Sequence, residues 1–517
     1  MTMRVSKRLT SYAPLGVTAL ICLDVVGGLV LRFSTNSKLW LDEALGVNIA
    51  SAPLGEIVGR LRNDGAPPLY YLLVHFWVLL FGASDAAVRS LSGIFSVLGC
   101  VAGFLLARRL WGVRVAWVTL AVVAILPYQV YFGTEARMYS LVMLEAALLL
   151  FVWLGNWELS PHRRALVLMI LTALLLYTHY WSIYLLGALS VVLIAQFWKC
   201  RSASHAMRWK ALGLVSGFVL WLPWLPIFNV QRLHTGTPWA PAPAFFQFFD
   251  WIEVFVTNQS RQHVTPSLHH QVILLLFISL LLLGCFATVI GDRFVVEFDF
   301  RAPQNVRFLV SITLGTMLLG LLVSHFTHTT FVARYASVIA IPIALLAARG
   351  ITVFERPARI FLVLLVFSAG ALWTDKWGVG VQRTQAGEVS AVLASAKPDS
   401  YVFICPDQLG PSVLRYSRND LQYSSYPRFT NPVFVNWFDY KKAIAATTPA
   451  LTGQQVLKAA GNHDIYVIWS AGYTLKGTCK SVVREIASST GRQPSTLLKS
   501  RFNGFYQSMN VTFLPFR

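Results

Sequence analysis

The chain has 517 residues, of which 56% are hydrophobic and only 13% charged, and its formal net charge is +20. An ordinary soluble domain carries about a quarter charged residues, so this composition excludes that class and fits a polytopic membrane protein. In such a protein an excess of Lys and Arg marks cytoplasmic loops and anionic lipid surfaces, and nucleic acid is not an expected partner.

The basic start, MTMRVSKRLT, leads into an apolar stretch near 11–33. That stretch is too long for a signal-peptide core and lacks a small-residue cleavage site, so it predicts a first transmembrane helix. Further apolar runs lie near 86–107, 115–132, 137–155, 165–180, 182–198, 210–229, 270–290, 305–325, 332–349 and 358–374, giving eleven predicted spans. The run LYYLLVHFWVLLFG at 69–82 is shorter and predicts a re-entrant or interfacial helix; His75 on it has no assigned role. With a cytoplasmic N-terminus and no crossing at 69–82, the inner loops hold 18 Lys and Arg and the outer loops 7. That bias follows the positive-inside rule, whereas a crossing at 69–82 would put ARRLWGVR outside and invert every later loop. No internal repeat is visible, which counts against the common transporter folds.

After about residue 375 the character changes. SYVFIC (400–405) and DIYVIW (464–469) read as short buried strands, and GEVSAVLASA and SVVREIASS as amphipathic helices. The expected organisation is therefore a membrane domain over 1–374 and a soluble α/β domain over 375–517, placed outside by the odd number of spans. Cys405 and Cys479 fall in the outer domain, where a disulfide is open to them if that side is periplasmic. Its 16 Lys and Arg against 8 Asp and Glu suit an anionic acceptor or an anionic membrane surface.

Sorting polar residues by side gathers a distinctive set at the outer interface. Asp42 and Glu43 stand in LWLDEALG, within the first outer loop at 34–68; Glu135, Arg137 and Tyr139 stand in YFGTEARMYS. His179 and Tyr180 belong to YTHYW, and His325, His328, Arg334 and Tyr335 to SHFTHTTFVARY. Each also has a purely structural reading. The acidic pair precedes an amphipathic helix predicted at 43–62 and would suit its dipole. A lone Arg at a helix end snorkels to headgroups, and the histidines lack a firm metal-ligand spacing. Asp24 lies too deep for interfacial chemistry. The aromatic loop 230–269, with Trp239, Phe245, Phe246 and Trp251, reads as an interfacial anchor or as a cover for a bound sugar.

LDEA, DGAPPLYYLLVHFWVLLFGASDAAVRSLSGI, TEARMYSL and ARYASVIAIP together resemble the protein O-mannosyltransferase and lipid A aminoarabinose transferase superfamily. The resemblance covers most of residues 35–350. It implies the GT-C fold of membrane glycosyltransferases and a polyprenyl-phosphate sugar donor. It further implies that the first-loop carboxylate, Asp42 with Glu43 beside it, is the catalytic base, and that Arg137, Arg334 and Tyr335 meet the carrier phosphate. Glu135, Tyr139, His179, Tyr180 and His328 are then candidates for donor or acceptor binding.

The chemistry leads the same way. A sugar on a lipid phosphate already has a good leaving group, so one carboxylate that deprotonates the acceptor hydroxyl suffices, with inversion at the anomeric carbon. The expectation is transfer of a monosaccharide to a cell-envelope glycan, glycolipid or protein at the outer face of a bacterial inner membrane. A transporter or flippase is the alternative from another class, and a ligase using a diphosphate-linked glycan the nearest alternative enzyme. A divalent ion bridging Asp42, Glu43 or a histidine to the phosphate is a further option, although no ligand set in the sequence is strong enough to predict a metal or other cofactor.

Overall fold

The computed structural model describes residues 2–155, 160–200, 204–235, 243–245, 249–257, 268–289, 296–329, 331–473, 475, 477–501 and 505–516. Trp239 and Phe246 lie outside them. Contacts divide the chain into two compact units. One comprises Met1–Thr35, Arg89–Leu225 and Pro241–Val379; the other comprises Asn36–Val88, Pro226–Ala240 and Gly380–Arg517. The first outer loop therefore belongs with the C-terminal region, a grouping that the expected division at 374/375 did not contain.

The first unit is mainly helical, and helices cover most of each of the eleven apolar stretches, although Ala287–Val289, at the end of one of them, is a strand paired antiparallel with Val296–Phe298. Among the described residues eight helices are long and apolar enough to cross a membrane. A ninth span is available as a bent pair, Val113–Ile125 and Pro127–Gly133, which meet at 56°. The bend falls at Leu126, extended at φ −65° and ψ 119°, because the following proline disfavours helical backbone before it. The helices Tyr139–Trp153 and Pro161–Thr178 are apolar but fall short of the same test.

Small residues let some of these helices approach backbone to backbone. A Cβ at Gly284 or Gly350 would run into the carbonyl of Leu346 or Leu280, so the helices Leu268–Phe286 and Ala340–Thr352 cross at two glycines. Gly213 and Gly217 play the same part where His205–Trp221 packs on Pro161–Thr178. In lipid, where burial of apolar surface gives helices little reason to associate, such close contact supplies the packing.

The second unit contains a five-stranded sheet. Its spatial order is Gln422–Ser425, Tyr401–Cys405, Ile465–Trp469, Asn510–Leu514, Ser495–Leu498; the first three strands are parallel and the last two antiparallel to their neighbours. Tyr401–Cys405 is buried throughout, as expected for a strand covered on both faces. Ala386–Leu393 packs with one side's core, which includes Val402 and Ile404, and Thr478–Thr490 with the other, which includes Phe403 and Val467. Cys405 and Cys479 form a disulfide.

The same unit holds the first loop. The helix predicted over 43–62 is two helices, Leu41–Ala50 and Leu54–Asp64, broken where Pro53 caps the second. The apolar helix Leu69–Phe81 has 13 residues, roughly 20 Å of rise, short of a bilayer core of about 30 Å. Its Phe76, Leu79, Leu80 and Phe81 are exposed, and His75 Nδ1 meets the Ala50 carbonyl at 2.7 Å, joining it to the end of the acidic helix.

Candidate functional site

In the first unit the bent helix pair delivers the segment Thr134–Met138, and the short helical turn Ala333–Ile339 delivers Arg334 and Tyr335. Tyr128 ties them together. Its hydroxyl reaches the carbonyls of Ala333 at 3.1 Å and Arg334 at 2.8 Å, while its ring stacks on Phe255 at 4.4 Å. The Ser92 hydroxyl donates to the Arg137 carbonyl at 3.1 Å, fixing the backbone that carries the other guanidinium.

His179 is the hub of this arrangement. It ends the helix Pro161–Thr178 in extended conformation and is only 6% exposed. The rings of Tyr139 and Tyr335 lie 5.7 and 5.2 Å from its own, and the Trp181 amide donates to its Nδ1 at 3.2 Å. Arg137 and Arg334 both act on it electrostatically, and Glu135 and Arg334 both act on Tyr128. Glu135, Arg137, Tyr139, His179, Arg334 and Tyr335, drawn from three separated motifs, are thus one cluster. Arg137 and Arg334 bring two positive charges to bear beside the buried His179 ring. That is a setting for an oxyanion.

The other candidates are placed differently. Tyr180 accepts from Trp224 Nε1 at 2.9 Å. His328 is the exposed, left-handed cap of the helix Gln304–Thr327, with φ 53°. The His325 ring packs on Phe245 at 4.6 Å, and Trp251 is buried in the helix Asp250–Thr257. Asp24 accepts from the Ser368 hydroxyl at 2.8 Å inside the bundle.

In the second unit the adjacent acids have different surroundings. Both fall in the first turn of Leu41–Ala50, where Trp40 is the N-cap and makes no side-chain capping bond. Glu43 is fully buried and pairs with Arg383, whereas Asp42 is only partly buried. Asp42 acts electrostatically on Tyr473, whose hydroxyl bonds to Gln507; burial first and Asp42 second push the Tyr473 phenol up from its usual range. The loop ahead of the helix is held from the sheet domain: the Leu39 amide donates to Tyr416 Oη at 2.8 Å, and that hydroxyl donates to Asp85 at 2.7 Å. Asn48 Nδ2 donates to the Val433 carbonyl at 2.9 Å.

Arg383, Tyr128 and Tyr473 were not singled out in the sequence. Each lies in a segment with no distinctive spacing, and only the fold reveals its partner. Among the described residues no group of three or more His, Cys, Asp and Glu side chains could hold a metal ion.

Residues 65–227 match the family model of dolichyl-phosphate-mannose-protein mannosyltransferase. Among solved structures, the chain is similar to ArnT from Cupriavidus metallidurans bound to undecaprenyl phosphate, at 12% identity and a TM-score of 0.59, over 96% of this chain and 97% of that one. The apo state of the same protein gives 13% identity and a TM-score of 0.57, over 96% and 98%. The Archaeoglobus fulgidus oligosaccharyltransferase in complex with Zn and sulfate gives 13% identity and a TM-score of 0.50, over 87% of this chain and 67% of that one. Comparison with curated proteins gives no match. The chain is a polytopic α-helical membrane protein of the GT-C fold. The part of the chain that matches the mannosyltransferase family model, residues 65–227, includes two of the motifs whose resemblance was noted in the sequence.

Proposed function

We propose that the protein moves a monosaccharide from a polyprenyl-phosphate donor to a cell-envelope glycan, glycolipid or protein, on the outer side of a bacterial inner membrane. The observation that carries this reading is the convergence of Arg137 and Arg334 on a buried His179. Undecaprenyl phosphate in the ArnT structure of the same fold is a carrier of the matching chemistry. The Cys405–Cys479 disulfide in the C-terminal region supports an oxidising, extracytoplasmic side.

In this mechanism the two guanidiniums bind the phosphate and neutralise the charge it gains as it leaves, by charge-assisted hydrogen bonds in a partly dry site. Asp42 takes the proton of the acceptor hydroxyl. The acceptor oxygen bonds to the anomeric carbon while the bond from that carbon to the phosphate oxygen breaks, releasing polyprenyl phosphate. Attack opposite the leaving group inverts the anomeric centre. Asp42 is the better base because it keeps access to solvent, whereas Glu43 is committed to Arg383. Glu43 then acts as a positioning residue, and no step requires a metal.

The test is transfer from a panel of radiolabelled polyprenyl-phosphate monosaccharides to an envelope extract, with purified protein in nanodiscs. Removing a positioned general base costs typically 10²–10⁴-fold, so Asp42→Asn should lose transfer on that scale while still binding donor. No transfer from any donor would overturn the reading, and a fully active Asp42→Asn protein would remove Asp42 as its base.

A further inference from the structure

The second unit contains a solvent-open cavity of about 650 Å³ that the proposed chemistry does not use. Arg62 and Asn63, from the end of the helix Leu54–Asp64, line one part, and Arg428, Phe438, Asp439 and Lys442 line the rest. The walls are fixed by backbone bonds between distant segments. The Trp437 amide donates to the Asn63 carbonyl at 3.0 Å, and the Asp439 amide to the His234 carbonyl at 2.8 Å. Arg428 donates to the carbonyls of Asn436, at 2.6 Å, and Phe438.

The lining chemistry is mixed in a particular way. Three cations stand against one carboxylate, and that carboxylate is engaged: Asp439 bonds to His234 at 3.2 Å and Lys442 at 3.1 Å, which hold it below the usual carboxylate range. Phe438 is stacked on His234, centroids 4.3 Å apart and planes 8° from parallel, so its ring is held in a fixed plane. Asp439 has φ 49°, a left-handed conformation that Asp tolerates better than most residues.

A fixed aromatic ring beside amide and carboxylate groups suits a sugar, which offers an apolar C–H face and a ring of hydroxyls. The surplus of Arg and Lys calls for a negative charge on that sugar. A bare bilayer surface would match the charge but offers no partner for the fixed Phe438 ring. We propose that this cavity binds an acidic saccharide, through its carboxylate or phosphate groups, as the part of the acceptor remote from the reacting hydroxyl. The acceptor role rests on the transferase reading; the binding does not.

The experiment is calorimetric titration of the full-length protein, in nanodiscs of zwitterionic lipid, with tetragalacturonate and with neutral maltotetraose. The expected result is saturable binding of tetragalacturonate, at least tenfold weaker binding of maltotetraose, and a tenfold or greater loss in the R62A/K442A double variant. Inorganic phosphate as competitor separates the two acidic groups: displacement at millimolar concentration indicates a phosphate site, and no displacement indicates one shaped for uronate. No saturable binding, equal binding of the two sugars, or a double variant that binds like wild type would overturn the proposal. So would a double variant that loses only adhesion to anionic vesicles, which would make the face a membrane contact. The transfer assay separates the two ideas: no transfer from any donor by the wild type, with sugar binding intact, removes only the transferase reading, and transfer that Asp42→Asn abolishes, without any sugar binding in the wild type, removes only this one.

Discussion

Arg383 Nη1 lies 3.6 Å from Glu43 Oε1, with the two side chains 1% and 0% exposed. The Arg383 amide also donates to Ser37 Oγ at 2.8 Å. One residue at the entrance to the C-terminal region therefore grips the acidic loop at two points, six positions apart in sequence. A charge pair removed from water adds little net stability when complete, yet is costly to break, because the remaining partner stays buried without its counter-charge.

Glu43→Gln should therefore cost about 3–5 kcal/mol of stability and lower the melting temperature by several degrees. Asp42→Asn, at a partly exposed position, should leave it nearly unchanged. Thermal unfolding of the two variants in the same detergent checks this. Equal melting temperatures would mean that Glu43 is not the structural member of the pair.

Arg334 sits on backbone that Tyr128 holds through two carbonyls. Arg334→Lys keeps the charge but loses the planar fork, so the donor KM should rise about tenfold or more, on the scale of one charge-assisted hydrogen bond. Tyr128→Phe, which keeps the stacked ring but frees the Ala333 and Arg334 carbonyls, should move the donor KM in the same direction by a smaller factor. Steady-state kinetics with a single labelled donor gives both values.

The helices were legible because their apolar runs are long, and the strands Tyr401–Cys405 and Ile465–Trp469 because they are short, apolar and bounded by polar residues. The arginine cluster was legible only as three motifs that positive-inside counting assigned to one side; Tyr128, which joins two of them, looks like any interfacial aromatic in LPYQVYFG. The break at Pro53 carried a visible signal, since proline rarely continues a helix, but the amphipathic pattern runs through it. The grouping of 36–88 with 380–517 was not legible at all. It depends on pairs such as Glu43 with Arg383 and Asp85 with Arg415, more than three hundred residues apart, and no local pattern encodes such a partner.

The disulfide joins Cys405, at the end of a central strand, to Cys479, in the first turn of Thr478–Thr490, across a sequence separation of 74. Closing a loop of that length restricts the unfolded chain by about 4 kcal/mol in the chain-entropy model. The double replacement Cys405→Ser with Cys479→Ser should lower the stability of the C-terminal region by that order. Denaturant unfolding followed by Trp469 fluorescence, compared with wild type under oxidising conditions, measures it; a shift no larger than a few tenths of a kcal/mol would mean that the crosslink contributes little to the fold.

Asp407 supplies a pH signature for the same region. It is 4% exposed, and burial raises its carboxyl to about 7, against an opposing hydrogen bond from Tyr440 and the nearby Arg428 charge. The geometry agrees with a protonated acid. Tyr440 Oη lies 2.5 Å from Asp407 Oδ1 and 3.1 Å from Gln408 Oε1, but a phenol has one hydrogen to give. If Asp407 carries a proton it donates to Tyr440, which donates in turn to Gln408, and both contacts are satisfied. An unfolded aspartate titrates near 3.9, so the folded pKa is raised. The stability tied to this group is then complete below about pH 4 and is lost as pH rises through about 7, because the unfolded chain releases its proton first. Asp407→Asn has no such proton to lose. Its melting temperature relative to wild type should rise steadily between pH 4 and 8, and a difference that stays constant over that range would show that Asp407 is ionised in the folded protein throughout.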